Sequence, residues 1–169
     1  MKTHKTNAAR LLDKAGIAYE LIAYTVDESD LSAAHLAAGI GEDPDRIFKT
    51  LVLEGDKTGH FVCLLPGGRE LDLKKAAKAS GNKSCGLIPM KDLQRITGYI
   101  RGGCSPMGMK KRFPTYVHDS VLEWESVYVS AGLRGLQLRL APGDLLRATQ
   151  GHTADLAQAD ESNSNASPL

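Results

Sequence analysis

The chain has 169 residues and a mass of 18.2 kDa, enough for one domain with a substantial core and too few for two comfortable ones. With 42% hydrophobic and 24% charged residues, and no apolar run near the ~18 residues a membrane span needs, the composition is that of an ordinary globular protein. A formal net charge of +1 and a pI near 7.7 argue against a protein that grips nucleic acid unaided over a wide basic face, so any such contact is expected to be local or assisted.

Thr6 or Asn7 can cap a first helix running to about residue 15, with Leu11 and Leu12 as its apolar stripe and Gly16 as its stop. Residues 18–24 read as a strand that brings Tyr24 to its end, and Asp27-Glu28-Ser29-Asp30 supplies turn chemistry after it. Ser32 is placed to cap a helix through Ala38, and Asp43-Pro44-Asp45 turns the chain into Phe48-Lys49-Thr50-Leu51-Val52-Leu53. Gly55-Asp56-Lys57-Thr58-Gly59 predicts a hairpin between strands 49–54 and 60–65, closed by Pro66-Gly67-Gly68. Asp72 caps a helix rich in Lys and Ala that ends before Gly81, and its lysines Lys74, Lys75 and Lys78 form a face open to solvent or to phosphates. Residues 89–97 predict a short helix closed by Gly98, and Tyr99-Ile100-Arg101 reads as extended. After the basic Lys110-Lys111-Arg112 come a strand at 115–118, a hairpin of 126–131 with 136–140, and a last helix from Pro142 to about Thr149. From about 158 the polar Ala159-Asp160-Glu161-Ser162-Asn163 run predicts a disordered tail, leaving 1–157 as the single domain.

Two stretches break the pattern. Strand periodicity puts Lys49 on the face of Leu51 and Leu53, opposite Phe48, Thr50 and Val52. An ammonium there either lays its stem along apolar surface to reach water, or waits in a cleft for an anion or a polarised carbonyl. Gly102-Gly103-Cys104-Ser105-Pro106-Met107-Gly108 packs three glycines and a proline into seven residues, a loop whose backbone can approach a ligand closely or simply a tight connection.

No hydrolase signature accompanies them. There is no GxSxG, HExxH or Walker loop, and His4, His35, His60, His118 and His152 lack metal-ligand spacing, so neither metal nor other cofactor is expected. The cysteines Cys63, Cys85 and Cys104 are odd in number and far apart, which predicts reduced thiols. Cys104, within the glycine loop, could be activated by nearby N–H groups, but no local residue supplies the base a cysteine nucleophile needs. The N-terminus runs from basic into polar residues with no signal-peptide core, so a cytoplasmic location and no membrane contact are expected.

Phe48-Lys49-Thr50-Leu51, Leu71-Asp72-Leu73-Lys74-Lys75-Ala76-Ala77-Lys78, Gly98-Tyr99 with the glycine loop, and Tyr128-Val129-Ser130-Ala131-Gly132 together resemble the YbaK family. These are freestanding relatives of the editing domain of prolyl-tRNA synthetase. The lysine-rich helix and Lys110-Lys111-Arg112 look most like the Cys-tRNA(Pro) deacylase branch. The resemblance implies a mixed α+β fold, a barrel-like sheet flanked by short helices. It also implies clearance of Cys-tRNA(Pro), and of Cys-tRNA(Cys), beside prolyl-tRNA synthetase as a transient partner.

On that resemblance Lys49 holds the CCA end, Tyr24, Thr50 and Ser130 line the pocket, Gly102, Gly103 and Cys104 donate N–H groups, and Ser105 and Pro106 complete the substrate-binding loop. The substrate's own thiol is the implied nucleophile, which accounts for the missing triad. Asp30-Leu31-Ser32 lacks the aromatic some relatives place at the pocket entrance, so the adenine contact stays unassigned. Alternatives are a water-mediated deacylase of Ala-tRNA or another small aminoacyl-tRNA, and a binding module for tRNA or a synthetase without chemistry.

Overall fold

Helix starts are set by side-chain caps. Thr6 Oγ1 accepts from Ala9 N–H at the head of α1 (Asn7–Lys14), Ser32 Oγ from His35 N–H at α2 (Ala33–Ile40), and Asp72 from the N–H groups of Lys74 and Lys75 at α3 (Leu73–Ser80). Left-handed Gly41, Gly81 and Gly98 stop α2, α3 and α4 (Leu93–Thr97), as a helix end without a Cβ penalty should. α5 (Pro142–Thr149) carries Pro142 in its first turn and ends instead on left-handed Gln150. The computed structural model describes residues 5–159.

Among the described residues eight strands form two sheets. β1 (Glu20–Ala23), β7 (Leu136–Leu140) and β6 (Val127–Leu133) make an antiparallel sheet in the order β1-β7-β6. β4 (Cys85–Leu87), β2 (Phe48–Gly55), β3 (Gly59–Pro66), β5 (Thr115–His118) and β8 (His152–Ala154) form a mixed sheet in that order. β2 and β3 are the predicted antiparallel hairpin, whereas β5 runs parallel to both β3 and β8. The sheets touch through an isolated bridge between Ile47 and Tyr128, so the expected mixed α+β fold with flanking short helices is found, its barrel-like part being two joined sheets that do not close.

Alternation along β2 and β3 divides the interior. Phe48, Val52, Val62 and Leu64 face one core with Leu12, Val129, Leu138 and Leu145. Leu53, Phe61, Cys63 and Leu65 face a second core beneath Ala76 of α3 and Leu156.

Other expectations shift. Leu11 is 47% exposed, and α1 buries Ala8, Ala9 and Leu12 instead. Tyr99-Ile100-Arg101 belongs to no strand, while β4 and β8, each of three residues, were not anticipated. The predicted tail beyond residue 159 lies outside the described residues; Gln158 itself donates and accepts hydrogen bonds with Glu70, Leu71 and Arg69. Among the described residues no helix is long and apolar enough to cross a membrane.

Candidate active site

A cavity of about 590 Å³ opens beside β2. β4 pairs with β2 only from Leu53 onward, so between the Ile47 bridge and Leu53 that edge of the strand has no ladder partner. Val52 O accepts from Ile88 N–H at 3.1 Å, and Val62, opposite it, donates to Pro114 O at 2.8 Å. Val52 therefore turns its backbone polar groups away from β3, and by the two-residue period Thr50 does the same, towards the open edge. This local gap in the sheet positions the site.

Lys49 lies at its side. Its Nζ donates to Arg69 O at 2.9 Å, spending one of three N–H bonds and leaving two. Burial lowers its pKa and the nearby Glu70 carboxylate opposes that shift. The placement agrees with the face expected from periodicity, and the ammonium is half-buried at the cavity wall.

Tyr24, Thr50, Gly102, Cys104 and Ser130 line the same cavity as Lys49. Tyr24 is held there by its N–H bond to Gly135 O, 3.0 Å, where β1 leaves the sheet. Ser130 Oγ accepts from Gly132 N–H at 3.1 Å across a bulge in β6, which leaves the hydroxyl proton free to donate.

The other loop residues behave differently. Gly103 is buried and its N–H donates to Ile100 O at 2.9 Å, so that donor is spent inside the loop rather than aimed at a substrate. Ser105 is fully buried and caps Met107 N–H, and Pro106 borders a separate cavity of about 180 Å³ with Lys111 and Arg112. Cys104 is 8% exposed, and burial pushes the pKa of its thiol up to about 11. It is a protonated wall residue at neutral pH.

Sequence reasoning missed Gln137. The alternation Leu136-Gln137-Leu138-Arg139-Leu140 suggests a solvent-facing polar side, yet Gln137 is only 3% exposed and borders the cavity. It sits opposite Ser130 in the β6–β7 register, so the two side chains share a face. Among the described residues Thr50 Oγ1 and Gln137 Oε1 are both sealed from solvent and find no hydrogen-bond partner. The signal available in the sequence was a glutamine flanked by apolar residues on a strand that pairs with the Ser130 segment.

The basic residues proposed for phosphates also separate. Lys74 and Lys78 are exposed, whereas Lys75 Nζ is tied to Asp155 Oδ2 at 2.9 Å and Ala157 O at 2.7 Å, where it clamps the C-terminal segment. Among the described residues no cluster of three metal-ligating side chains forms.

Comparison with known proteins identifies relatives of the chain. The chain is 49% identical over 152 residues, 90% of its length and 93% of the relative's, to the "Putative Cys-tRNA(Pro)/Cys-tRNA(Cys) deacylase EbsC" of Enterococcus faecalis. It is 27% identical to the uncharacterised protein YwhH of Bacillus subtilis, covering 70% of this chain and 75% of that one. A crystal structure described as "a putative trans-editing enzyme for prolyl tRNA synthetase" superposes with a TM-score of 0.81 at 26% identity, over 93% of this chain and all of that one. The aminoacyl-tRNA editing domain matches residues 28–148, and with that match the chain belongs to the aminoacyl-tRNA editing domain family.

Proposed function

We propose that the protein is a cytoplasmic trans-editing deacylase that clears Cys-tRNA(Pro), and Cys-tRNA(Cys) as a second substrate, in transient association with prolyl-tRNA synthetase. The observation that carries the chemistry is a cavity holding a cation and open polar atoms, while its one thiol is buried and pushed up to about 11. Such a site can bind and orient, so the nucleophile comes from the substrate. The substrate sulfur attacks its own ester carbonyl, a C–S bond forms, the C–O bond to the terminal ribose breaks, and the thiol proton ends on the ribose oxygen. The products are a thiolactone and free tRNA.

Orientation is an effective contribution to an intramolecular step, because the reacting atoms already share a molecule and need only a fixed rotamer. Lys49, with two N–H bonds left, holds a phosphate or ribose oxygen of the CCA end. Thr50 and Gly102 offer backbone N–H groups to the carbonyl in place of Gly103. Size alone separates cysteine from proline by ~1–3 kcal/mol in a synthetase pocket, so a second, thiol-dependent check has a physical purpose.

The test compares release of cysteine from Cys-tRNA(Pro) with release from its S-methylated counterpart. Loss of turnover on methylation is expected. Equal turnover would indicate attack by water and a broader range of small aminoacyl-tRNAs, and release at the buffer rate from both would leave a binding module. Running the assay at physiological salt with and without prolyl-tRNA synthetase tests the partner, since a near-neutral protein gains tRNA affinity from a companion.

A further inference from the structure

We infer that the Gln137 carboxamide, with the Thr50 hydroxyl, is the receptor for the free α-amino group of the aminoacyl ester, an inference that rests on the editing reading above. Two independent features of the cavity lead there. Gln137 is 97% removed from solvent, yet its Oε1 has no hydrogen-bond partner. Thr50 Oγ1, on a different sheet but bordering the same cavity, is sealed and unpartnered as well. A buried acceptor without a donor is unfavourable, and natural interiors leave few of them except where a ligand completes the set.

The identity of the missing group follows from the inventory. Ser130 Oγ, beside Gln137 across the β6–β7 register, already accepts from Gly132 N–H, and the Glu70 carboxylate at the cavity wall acts on the Lys49 ammonium, so the two sealed acceptors left without a partner are Gln137 Oε1 and Thr50 Oγ1. Two unpartnered oxygens on residues of one cavity wall suit a group with at least two N–H bonds. The aminoacyl moiety, as distinct from the adenine of the terminal nucleoside, carries one such group, its α-amine, while its carbonyl and the ribose oxygens suit the donors at Lys49 and the β2 edge. A neutral carboxamide accepts from the amine whether or not it is protonated, and adds no charge beside Lys49. The consequence is selectivity for aminoacyl-tRNA with a free amine: N-acylated aminoacyl-tRNA has one N–H and a bulky acyl group, and is rejected.

Calorimetric titration with 3′-(L-cysteinylamino)-3′-deoxyadenosine and its N-acetyl derivative, both stable amides, tests this on the full chain. Wild type should bind the free amine about 10–100-fold more tightly, the factor a charge-assisted hydrogen bond confers. Gln137→Leu should bring that ratio to near one while its Tm holds or rises by ~2–4 °C, because an unpaired buried acceptor is gone. Gln137→Glu should keep the preference for the free amine.

Equal binding of the two probes by wild type, a preference that survives in Gln137→Leu, or no binding of either would overturn the assignment. So would tighter binding of the acetylated probe, which would mean that the amide presents its N–H groups. Deacylation of Cys-tRNA(Pro) is scored separately. A protein that shows the amine preference but fails to deacylate loses the substrate reading and keeps the subsite, and one that deacylates without the preference loses only the subsite.

Discussion

The lysine-bearing start of β2 and the glycine loop at 102–108 both stand out in the sequence, one for a cation on an apolar strand and the other for its glycines, and they meet the same cavity in different ways. β2 arrives with hydrogen-bonding capacity unspent: two N–H bonds of Lys49 and the sealed, unpartnered Thr50 hydroxyl. The loop consumes most of its own polarity, as Gly103 N–H donates to Ile100 O and Ser105 Oγ accepts from Met107 N–H. Its glycines admit close packing. A Cβ on Gly103 would lie 3.1 Å from Arg134 N, and one on Gly108, at φ 78°, would lie 2.6 Å from the Tyr99 hydroxyl. On the proposed reading, unspent polar atoms on β2 mark the reacting side of the cavity, and glycine density marks a closely packed part of its wall.

The sharpest way to break that contrast is to remove the cation. Lys49→Ala should lower single-turnover deacylation of Cys-tRNA(Pro) by about 10²–10³-fold, the loss typical of one well-placed electrostatic contact, with little change in Tm. Lys49→Arg should recover only part of it, since a planar guanidinium cannot reproduce a bond to Arg69 O together with the same reach into the cavity. Undiminished turnover in Lys49→Ala would return the residue to a lysine that merely shelters its stem.

On the loop side the expected defect is in stability. Gly108→Ala combines a left-handed φ with a collision against Tyr99 and the backbone of Ala8, and should cost about 1–3 kcal/mol. Thermal unfolding should show Tm falling by ~2–4 °C per kcal/mol, while the enzyme still folded at low temperature keeps its turnover. A variant that is stable and inactive would contradict the division of labour.

A smaller effect separates the basic residues. Lys75→Ala should lose about 0.5–1 kcal/mol, because its ion pair with Asp155 is partly exposed and the bond to Ala157 O is one neutral acceptor. Deacylation and its salt dependence should stay as in wild type. Lys111→Ala and Arg112→Ala, both exposed, should instead flatten the salt dependence with Tm unchanged.

The legibility of the chain follows the range of the forces involved. Caps at Thr6, Ser32 and Asp72 and the hairpin at 55–59 are local, and were readable from the residues themselves. The face of Lys49 was readable because strand periodicity is local too. β4 and β8 are three residues long and exist through pairing with distant strands, so no periodic signal marks them. Gln137 was illegible for a related reason: its burial is imposed by two sheets meeting, and the alternation of β7 by itself describes a solvent face. Gly103 was assigned an N–H role that the backbone of Ile100 already claims, a fact set by loop conformation and invisible in composition.

The smallest expected change is at Cys104, and its pH dependence makes it informative. A thiol pushed up to about 11 by burial is protonated throughout the range in which aminoacyl esters survive. If Cys104 were the nucleophile, log rate would climb steadily with pH through 9.5, because its thiolate fraction keeps growing until about 11. If the substrate thiol attacks, with an ordinary pKa of about 8.5, the rate should rise to that point and then level off. Cys104→Ser should leave both the rate and the bend near pH 8.5 in place, with a modest fall in Tm because a hydroxyl replaces a buried thiol among apolar neighbours. A profile that straightens or collapses in Cys104→Ser would move the nucleophile from the substrate to the loop and make the glycine-rich wall, rather than β2, the reacting side of the cavity.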